Sequence, residues 1–320
     1  MQSFAPSADR TQRVLLRIGT RGSPLALAQA NEIRTRLAAI HGLASDAIAL
    51  AVIRTTGDAI RDRPLAEAGG KGLFTKEIEE ALLAGAIDIA VHSAKDMPTQ
   101  LPAGLAIAAV PPREDARDVF ISASVRAGSL RELAQGARLG TASLRRAALA
   151  LRSRPDLAIV NLRGNVETRL RKLDEGAADA TLLALAGLKR LGLAHKATAV
   201  LAIEEFLPAV GQGIIAVEAR SEDARVLALL APLNDAASAA ALGAERAFLA
   251  ELDGSCRTPI AGHAAVAAGR LGFRGLIARP DGSACLETAR EGSLADAIRM
   301  GADAGRELRA RAGPDFFRTA

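Results

Sequence analysis

Gly19-Thr20-Arg21-Gly22-Ser23-Pro24 and, much later in the chain, Gly140-Thr141-Ala142-Ser143 are two versions of one local design. In each, a short apolar run ends in Gly-Thr, a small hydroxyl residue follows, and a segment with helical spacing begins. Ser23 and Ser143 stand where a helix N-cap belongs, and Pro24 suits a first helical position. Ala26, Ala30, Ile33 and Leu37 then share one helix face. A strand that hands over to a helix is the repeating unit of α/β folds. The echo predicts two similar α/β lobes facing each other, as in bilobed small-molecule binders.

The surrounding sequence extends this pattern. Strands are predicted at 15–19, 50–54, 87–93, 138–140, 158–162 and 180–185, which implies a parallel α/β architecture. Phe74, Ile78 and Leu82 mark a helix that Gly85 closes, and a second helix spans 143–151. Asn165 N-caps a third with Val166, Leu170 and Leu173 on its apolar side, ended by Gly176. Pro98, Pro102, Pro111 and Pro112 suggest a crossing between lobes, and 208–213 a second. From Asp235 the pattern changes to a long Ala-rich helix and hairpin-like strands around Asp281-Gly282, which suggests a small α+β third domain.

The chain has 320 residues, 49% hydrophobic and 24% charged, enough for two or three domains. Every long apolar run is broken by Arg, Asp, Glu or Gly, so no transmembrane helix is expected. The first twelve residues are polar, which predicts a loose tail and no secretory signal. Two cysteines, Cys256 and Cys285, form no CxxC pair, and a reducing cytoplasm fits. The formal net charge of +5 suits an anionic partner. Trp and Tyr are absent, which argues against base-stacking platforms for nucleic acid.

Four stretches carry chemistry. At the two Gly-Thr junctions, Arg21, Arg145 and Arg146 add fixed positive charge to helix starts that already favour anions. Helix capping with solvated arginines explains either junction alone; two of one type favour a carboxylate- or phosphate-binding cleft. Leu162-Arg163-Gly164-Asn165 repeats the arrangement, with Arg169 one turn into its helix. Arg171 and Lys172 belong to a solvated basic face. Val91-His92-Ser93-Ala94-Lys95-Asp96-Met97-Pro98 puts Asp96 just past a strand's carboxyl end, where open α/β sheets bind ligands. There a carboxylate can stabilise a cation or move protons, although this stretch taken alone favours a turn Asp before Pro. His92 reads as a packed strand residue, and no metal-ligand spacing occurs. Gly254-Ser255-Cys256-Arg257 lies in a loop beyond a helix bearing Phe248, Leu249 and Leu252. Arg257 favours a reactive thiolate there. Cys285, in the hairpin-like segment without a flanking cation, reads as a small hydrophobe.

These residues, in this order, resemble the porphobilinogen deaminase family over nearly the whole chain. The matching segments are Gly19-Thr20-Arg21-Gly22-Ser23-Pro24-Leu25-Ala26, Gly69-Gly70-Lys71-Gly72-Leu73-Phe74, 91–96, 140–146, 162–166, Pro208-Ala209-Val210-Gly211-Gln212-Gly213 and Gly254-Ser255-Cys256. The resemblance implies two lobes like type II periplasmic binding proteins and a third domain carrying a cofactor cysteine. Domain 1 would comprise 14–112 and 212–232, domain 2 116–208, and domain 3 235–320. It implies a dipyrromethane cofactor in thioether linkage to Cys256, with Lys95, Ser143, Arg145, Arg146 and Gly213 around it. Arg21, Ser23, Lys71, Arg163, Arg169, Arg190 and Gln212 would bind substrate, and Asp96 would be catalytic. It further implies a cytoplasmic monomer that joins four porphobilinogen molecules, with loss of ammonia, into hydroxymethylbilane for haem biosynthesis. No metal, nucleic acid or membrane is expected. Ala142 stands where the family commonly has Ser, Glu67 where Lys is frequent, and Thr56 where Arg is frequent.

The chemistry agrees with the charges. Porphobilinogen is a dicarboxylate, and a growing chain multiplies that charge, so a cleft rich in Arg suits it. Deamination and carbon–carbon bond formation pass through electron-poor rings, which a carboxylate at Asp96 stabilises in a low-dielectric cleft. A bilobed carrier of small anions without catalysis would use the same lobes and arginines, but it leaves Cys256 unexplained. A nucleic-acid-binding protein would need stripes of Lys and Arg, whereas these arginines sit at separate strand–helix junctions.

Overall fold

The computed structural model describes residues 14–59, 74–123, 127–252, 258–313 and 316. The chain opens with β1 (Leu16–Thr20), α1 (Pro24–His41), β2 (Ile48–Val52), α2 (Thr56–Ala59), α3 (Lys76–Leu83), β3 (Ile89–Ser93) and β4 (Leu105–Ala109). A second group comprises β5 (Asp118–Ser122), β6 (Arg138–Gly140), α4 (Leu144–Ser153), β7 (Ala158–Val160), α5 (Val166–Asp174), β8 (Ala180–Ala184), α6 (Leu185–Arg190) and β9 (Ala199–Val200). Next come β10 (Ile215–Arg220) and α7 (Ala224–Leu230). The last group is α8 (Ala236–Glu251), β11 (Ile260–Ala267), β12 (Arg270–Ala278), β13 (Cys285–Gly292) and α9 (Ala297–Ala312).

The two lobes are built alike. One sheet has the order β2-β1-β3-β10-β4 and the other β7-β6-β8-β5-β9. In each, three parallel strands are followed by two that alternate in direction. The Gly-Thr echo therefore marks equivalent places, the carboxyl ends of β1 and β6. A second echo carries no sequence signal. The Arg17 and Arg138 amides each donate to a distant carboxylate, Asp88 and Asp179, at 2.7 Å. Both guanidinium groups also bond those same carboxylates.

The lobes are mixed rather than wholly parallel, which corrects the expectation from the strand–helix alternation. Parallel neighbours need a helical crossover within one lobe. β5 and β10 instead enter their sheets from the crossing segments, and so run antiparallel to β8 and β3. The sequence pattern does not predict β4, β5, β9 or β10. The second strand begins at Ile48, two residues before its expected start. α3 begins at Lys76, so Phe74 lies outside it.

Helix starts follow the expected capping chemistry. Ser23, Ser143, Asn165 and Asp235 each accept a hydrogen bond from an amide three residues on. The third group packs α8 and α9 against the antiparallel sheet β11-β12-β13. Gly301 lets the helices touch, since a Cβ there would lie 1.9 Å from the Ala244 carbonyl oxygen.

Candidate active site

In lobe 1 the site grows from the end of β3. The chain leaves the sheet at Ser93 and makes one tight turn over Ala94–Asp96, which leaves Asp96 exposed at the mouth of a cavity. The Ala94 amide donates to the Ile214 carbonyl, so the second crossing runs directly beneath the turn. Gly211 permits this: its φ is +73°, and a Cβ would lie 2.9 Å from the Lys95 amide nitrogen. Arg21 and Ser23 line the same cavity. The Arg21 guanidinium lies 4.1 Å from the centre of the Phe74 ring. Gln29, buried, exchanges hydrogen bonds with the Ser93 hydroxyl at 2.9 and 3.1 Å. Gln29 lies about one helical turn beyond the quoted motif that ends at Ala26, and Ser93 lies within the quoted 91–98 stretch but is given no role by the sequence.

Lobe 2 contributes cations. Arg145 and Arg146, in the first turn of α4, are not solvated: both are 5% exposed. Arg145 donates to Asp118 at 2.7 Å and to the Leu207 carbonyl at 2.8 Å. Arg146 donates to Asp118 at 2.7 and 3.1 Å. Gln212 reaches the same carboxylate at 3.0 Å and the Ala116 carbonyl at 2.7 Å. Burial alone would push the Asp118 carboxyl up, but Arg145 and Arg146 hold it down at about 2. Two guanidinium groups on one carboxylate leave net positive charge beside the cleft. Asp118 escapes a sequence reading because it lies on β5, one of the strands the pattern does not predict.

The two walls face each other electrostatically. Lys95 is open to solvent by area, yet both lobes crowd its ammonium. Burial lowers it to about 8, with Arg146 and Arg169 acting the same way and Asp96 and Asp118 opposing. Arg169 is lowered to about 10 by burial and by Arg146 and Arg163, while Asp96 pulls it up. Arg169 is steadied by donating to the Gly164 carbonyl at 2.8 Å. Lys95, Arg146, Arg163 and Arg169 thus converge with Asp96 and Asp118, cations in excess.

Two further expected residues, Arg190 and Gly213, also make contacts within the protein. Arg190 donates to Glu32 of α1 and to the Gly213 carbonyl, so it ties the lobes together. Gly213 has φ +87°, and a Cβ would lie 2.3 Å from the Glu114 carbonyl oxygen: it is a crossing residue. Arg113, in the first crossing, bonds the buried Glu245 of α8, which also accepts from the Gly211 and Ala264 amides. That node joins both crossings to the third domain. Lys71, Glu67, Cys256 and Arg257 lie outside the described residues. Arg171 pairs with Glu175 on an exposed face, as expected. Lys172 does not belong to that face; it donates to the Arg163 carbonyl at 3.2 Å and braces that loop. Cys285 does have a cation beside it, Arg152 at 3.1 Å, contributed by α4. Burial nevertheless pushes its thiol up to about 11, against Arg152. Thr56 sits at the start of α2 with its amide and hydroxyl bonded to Glu77.

Fold and site together describe a two-lobed α/β protein in which, among the described residues, Lys and Arg side chains gather near Asp96 and Asp118. Comparison with known proteins is consistent with this. The family "Porphobilinogen deaminase, dipyromethane cofactor binding domain" matches residues 16–228, and "Porphobilinogen deaminase, C-terminal domain" matches residues 239–310. A porphobilinogen deaminase of Nitrobacter winogradskyi is 62% identical over 311 residues, covering 97% of this chain and 98% of its own. That of Paracoccus denitrificans is 59% identical over 302 residues, covering 94% and 96%. A chloroplastic one from Oryza sativa subsp. japonica is 56% identical over 321 residues, covering 98% and 89%. Among solved structures, an ABC-transporter periplasmic substrate-binding protein from Coxiella burnetii is 16% identical, with a TM-score of 0.42, over 69% of this chain and 92% of its own. The chain belongs to the porphobilinogen deaminase family.

Proposed function

We propose that this chain joins four porphobilinogen molecules head to tail, releasing ammonia at each addition, and frees hydroxymethylbilane. We infer that it works as a cytoplasmic monomer, with domains at 14–112 plus 212–232, 116–208 and 235–320. The observation that carries the reading is the grouping of charges in which Lys95 and Arg169 both feel the exposed carboxylate of Asp96, with Arg146 acting on both cations and Arg163 on Arg169. A polycarboxylate substrate supplies the anions such a cleft lacks, and a single retained carboxylate suits chemistry that builds positive charge on a ring.

The residues also fit a dipyrromethane cofactor. Its acidic side chains suit the surplus charge at Arg145 and Arg146. Among the described residues the buried Arg145 Nε has no partner, which leaves a donor on that wall. Cys256 would hold the group by a thioether, with Lys95, Ser143, Arg145, Arg146 and Gly213 around it. When bound, the group supplies the pyrrole carbon from which the product grows. Arg21, Ser23, Lys71, Arg163 and Arg169 bind substrate carboxylates, guanidinium forks doing so bidentately. Arg190 and Gln212 act at one remove, holding the lobes and the Asp118 cluster. Asp96 passes a proton to the departing amine, takes one from the ring carbon, and lowers the energy of the cationic ring between these steps.

Intact-mass measurement tests the covalent part. The purified protein is expected to be heavier than its sequence by two pyrrole units, Cys256→Ala to lack that mass, and Cys285→Ser to keep both mass and activity. Loss of the added mass from Cys285→Ser, with retention in Cys256→Ala, would reverse the assignment.

A further inference from the structure

Three ionisable side chains are sealed behind Asp96 and have no part in the mechanism above. They are His92 on β3, Glu218 on β10 and Glu79 on α3, at 5%, 0% and 6% exposure. The antiparallel register sets Ala216 opposite His92 and Glu218 opposite Ala90. His92 and Glu218 are therefore diagonal neighbours on one face of the sheet, with His92 Nε2 3.1 Å from Glu218 Oε2. α3 brings Glu79 to the same face, where burial pushes its carboxyl up; the Thr75 hydroxyl and His92 oppose this, and Glu218 adds to it. From α8, Arg246 acts on Glu218 while donating to the Pro98 and Thr99 carbonyls. Among the described residues, Glu218 Oε1 has no hydrogen-bond partner. His92 forms part of the wall of the cavity that holds Arg21 and Asp96.

A buried carboxylate is costly unless its charge is answered. Two carboxyls and one imidazole are enclosed here with the single guanidinium of Arg246, and the way they share protons sets the charge behind the cavity wall. We propose that His92, held by Glu218, is a positioning residue of the reaction: the pair keeps or releases one proton and so sets the electrostatic field in which Asp96 works. The proposal rests on the porphobilinogen-condensing reading of the cleft. Each addition breaks one carbon–nitrogen bond and one ring carbon–hydrogen bond and makes one carbon–carbon bond, the hydrogen leaving in ammonia. The pair begins and ends each addition with the same proton count and needs no co-reactant.

The test uses full-length, cofactor-loaded protein, with kcat and KM for porphobilinogen measured against pH. His92→Gln keeps a donor for Glu218 but cannot titrate near neutrality. It is expected to lower kcat about ten-fold with KM nearly unchanged, and to flatten the kcat limb between about pH 5.5 and 8. Glu218→Gln removes the charge beside the His92 ring while keeping the side chain's size, and the kcat profile should again depart from wild type. Should these variants not fold, nitrogen-15 NMR of histidines in the wild-type protein supplies the reading, with His92 assigned by replacing His41, His195 and His263. His92 is expected to titrate together with the kcat limb. Variant profiles that overlay the wild type, or a His92 signal that does not titrate across the range, overturn the proposal. Wild-type protein that still releases ammonia in that event leaves the parent reading standing; no release at all removes both.

Discussion

The two lobes share a scaffold and divide the chemistry. β1 and β6 end in the same Gly-Thr, hand over to helices capped by Ser23 and Ser143, and are braced by the same Arg–Asp pair. Beyond those caps the lobes diverge. In lobe 1, Arg21 stays at the cavity over Phe74, and β3 ends in the turn that presents Asp96. In lobe 2, Arg145 and Arg146 turn inward onto Asp118, and the equivalent strand β8 runs from Ala184 into the apolar start of α6. One lobe presents the exposed carboxylate of Asp96, and the other supplies buried positive charge. A duplicated fold therefore fixes where strand ends meet, while a few side chains decide what each end does.

The sharpest way to break this contrast is to remove the anion of lobe 2. Asp118→Asn leaves two buried guanidinium groups facing a neutral amide. Breaking a buried pair in this way costs about 3–5 kcal/mol, so thermal melting should fall markedly and cofactor loading with it. The acid side gives the same answer by titration. A carboxyl held at about 2 contributes stability above its ordinary pKa near 4, and that stability is lost as pH falls towards 2. A melting temperature unaltered by Asp118→Asn would mean that lobe 2 does not depend on this cluster.

A smaller effect separates cleft from surface within lobe 2. Arg163→Leu is expected to impair turnover or assembly far more than Arg171→Leu, by about 2–5 kcal/mol against well under 1. Arg163 takes part in the charge cluster with Arg169, whereas Arg171 and Glu175 are exposed. Equal activity in folded, cofactor-loaded variants would count against this division.

Much of the scaffold is legible in the sequence because capping and periodicity are local. Ser23, Ser143 and Asn165 cap the helices that their types and positions predict. The antiparallel strands are not legible, because β5 and β10 owe their direction to which lobe the chain comes from, and no short window records that. Asp118 goes unseen for the same reason, so the sequence puts Arg145 and Arg146 at an anion-binding helix start without showing the carboxylate that they bond within the chain. Asp96 and Lys95 can be found because they come after a strand that the alternation of Ile87, Ile89 and Val91 already marks. Arg152 beside Cys285 is a contact between domains, which the neighbours of Cys285 in sequence do not show.

The smallest expected effect concerns Lys95, the lobe 1 cation that lobe 2 crowds. Burial holds it near 8, below the ordinary 10.5 of lysine. Its charge is present below that pH and lost as pH rises through it, so cofactor loading of the apoprotein should fall by about ten-fold between pH 7 and 9.5. Lys95→Arg keeps the charge throughout and should flatten the fall. Wild-type loading that stays level over this range would show that Lys95 does not hold a cofactor carboxylate.

The central claim is that positive charge gathers the substrate and one carboxylate turns it over. Asp96→Asn keeps size and hydrogen bonding and removes the charge. Single-turnover ammonia release by folded, cofactor-loaded protein at saturating porphobilinogen measures the consequence directly. A loss of about two to three powers of ten in rate is expected, with Asp96→Glu retaining more. A wild-type rate from Asp96→Asn would contradict it.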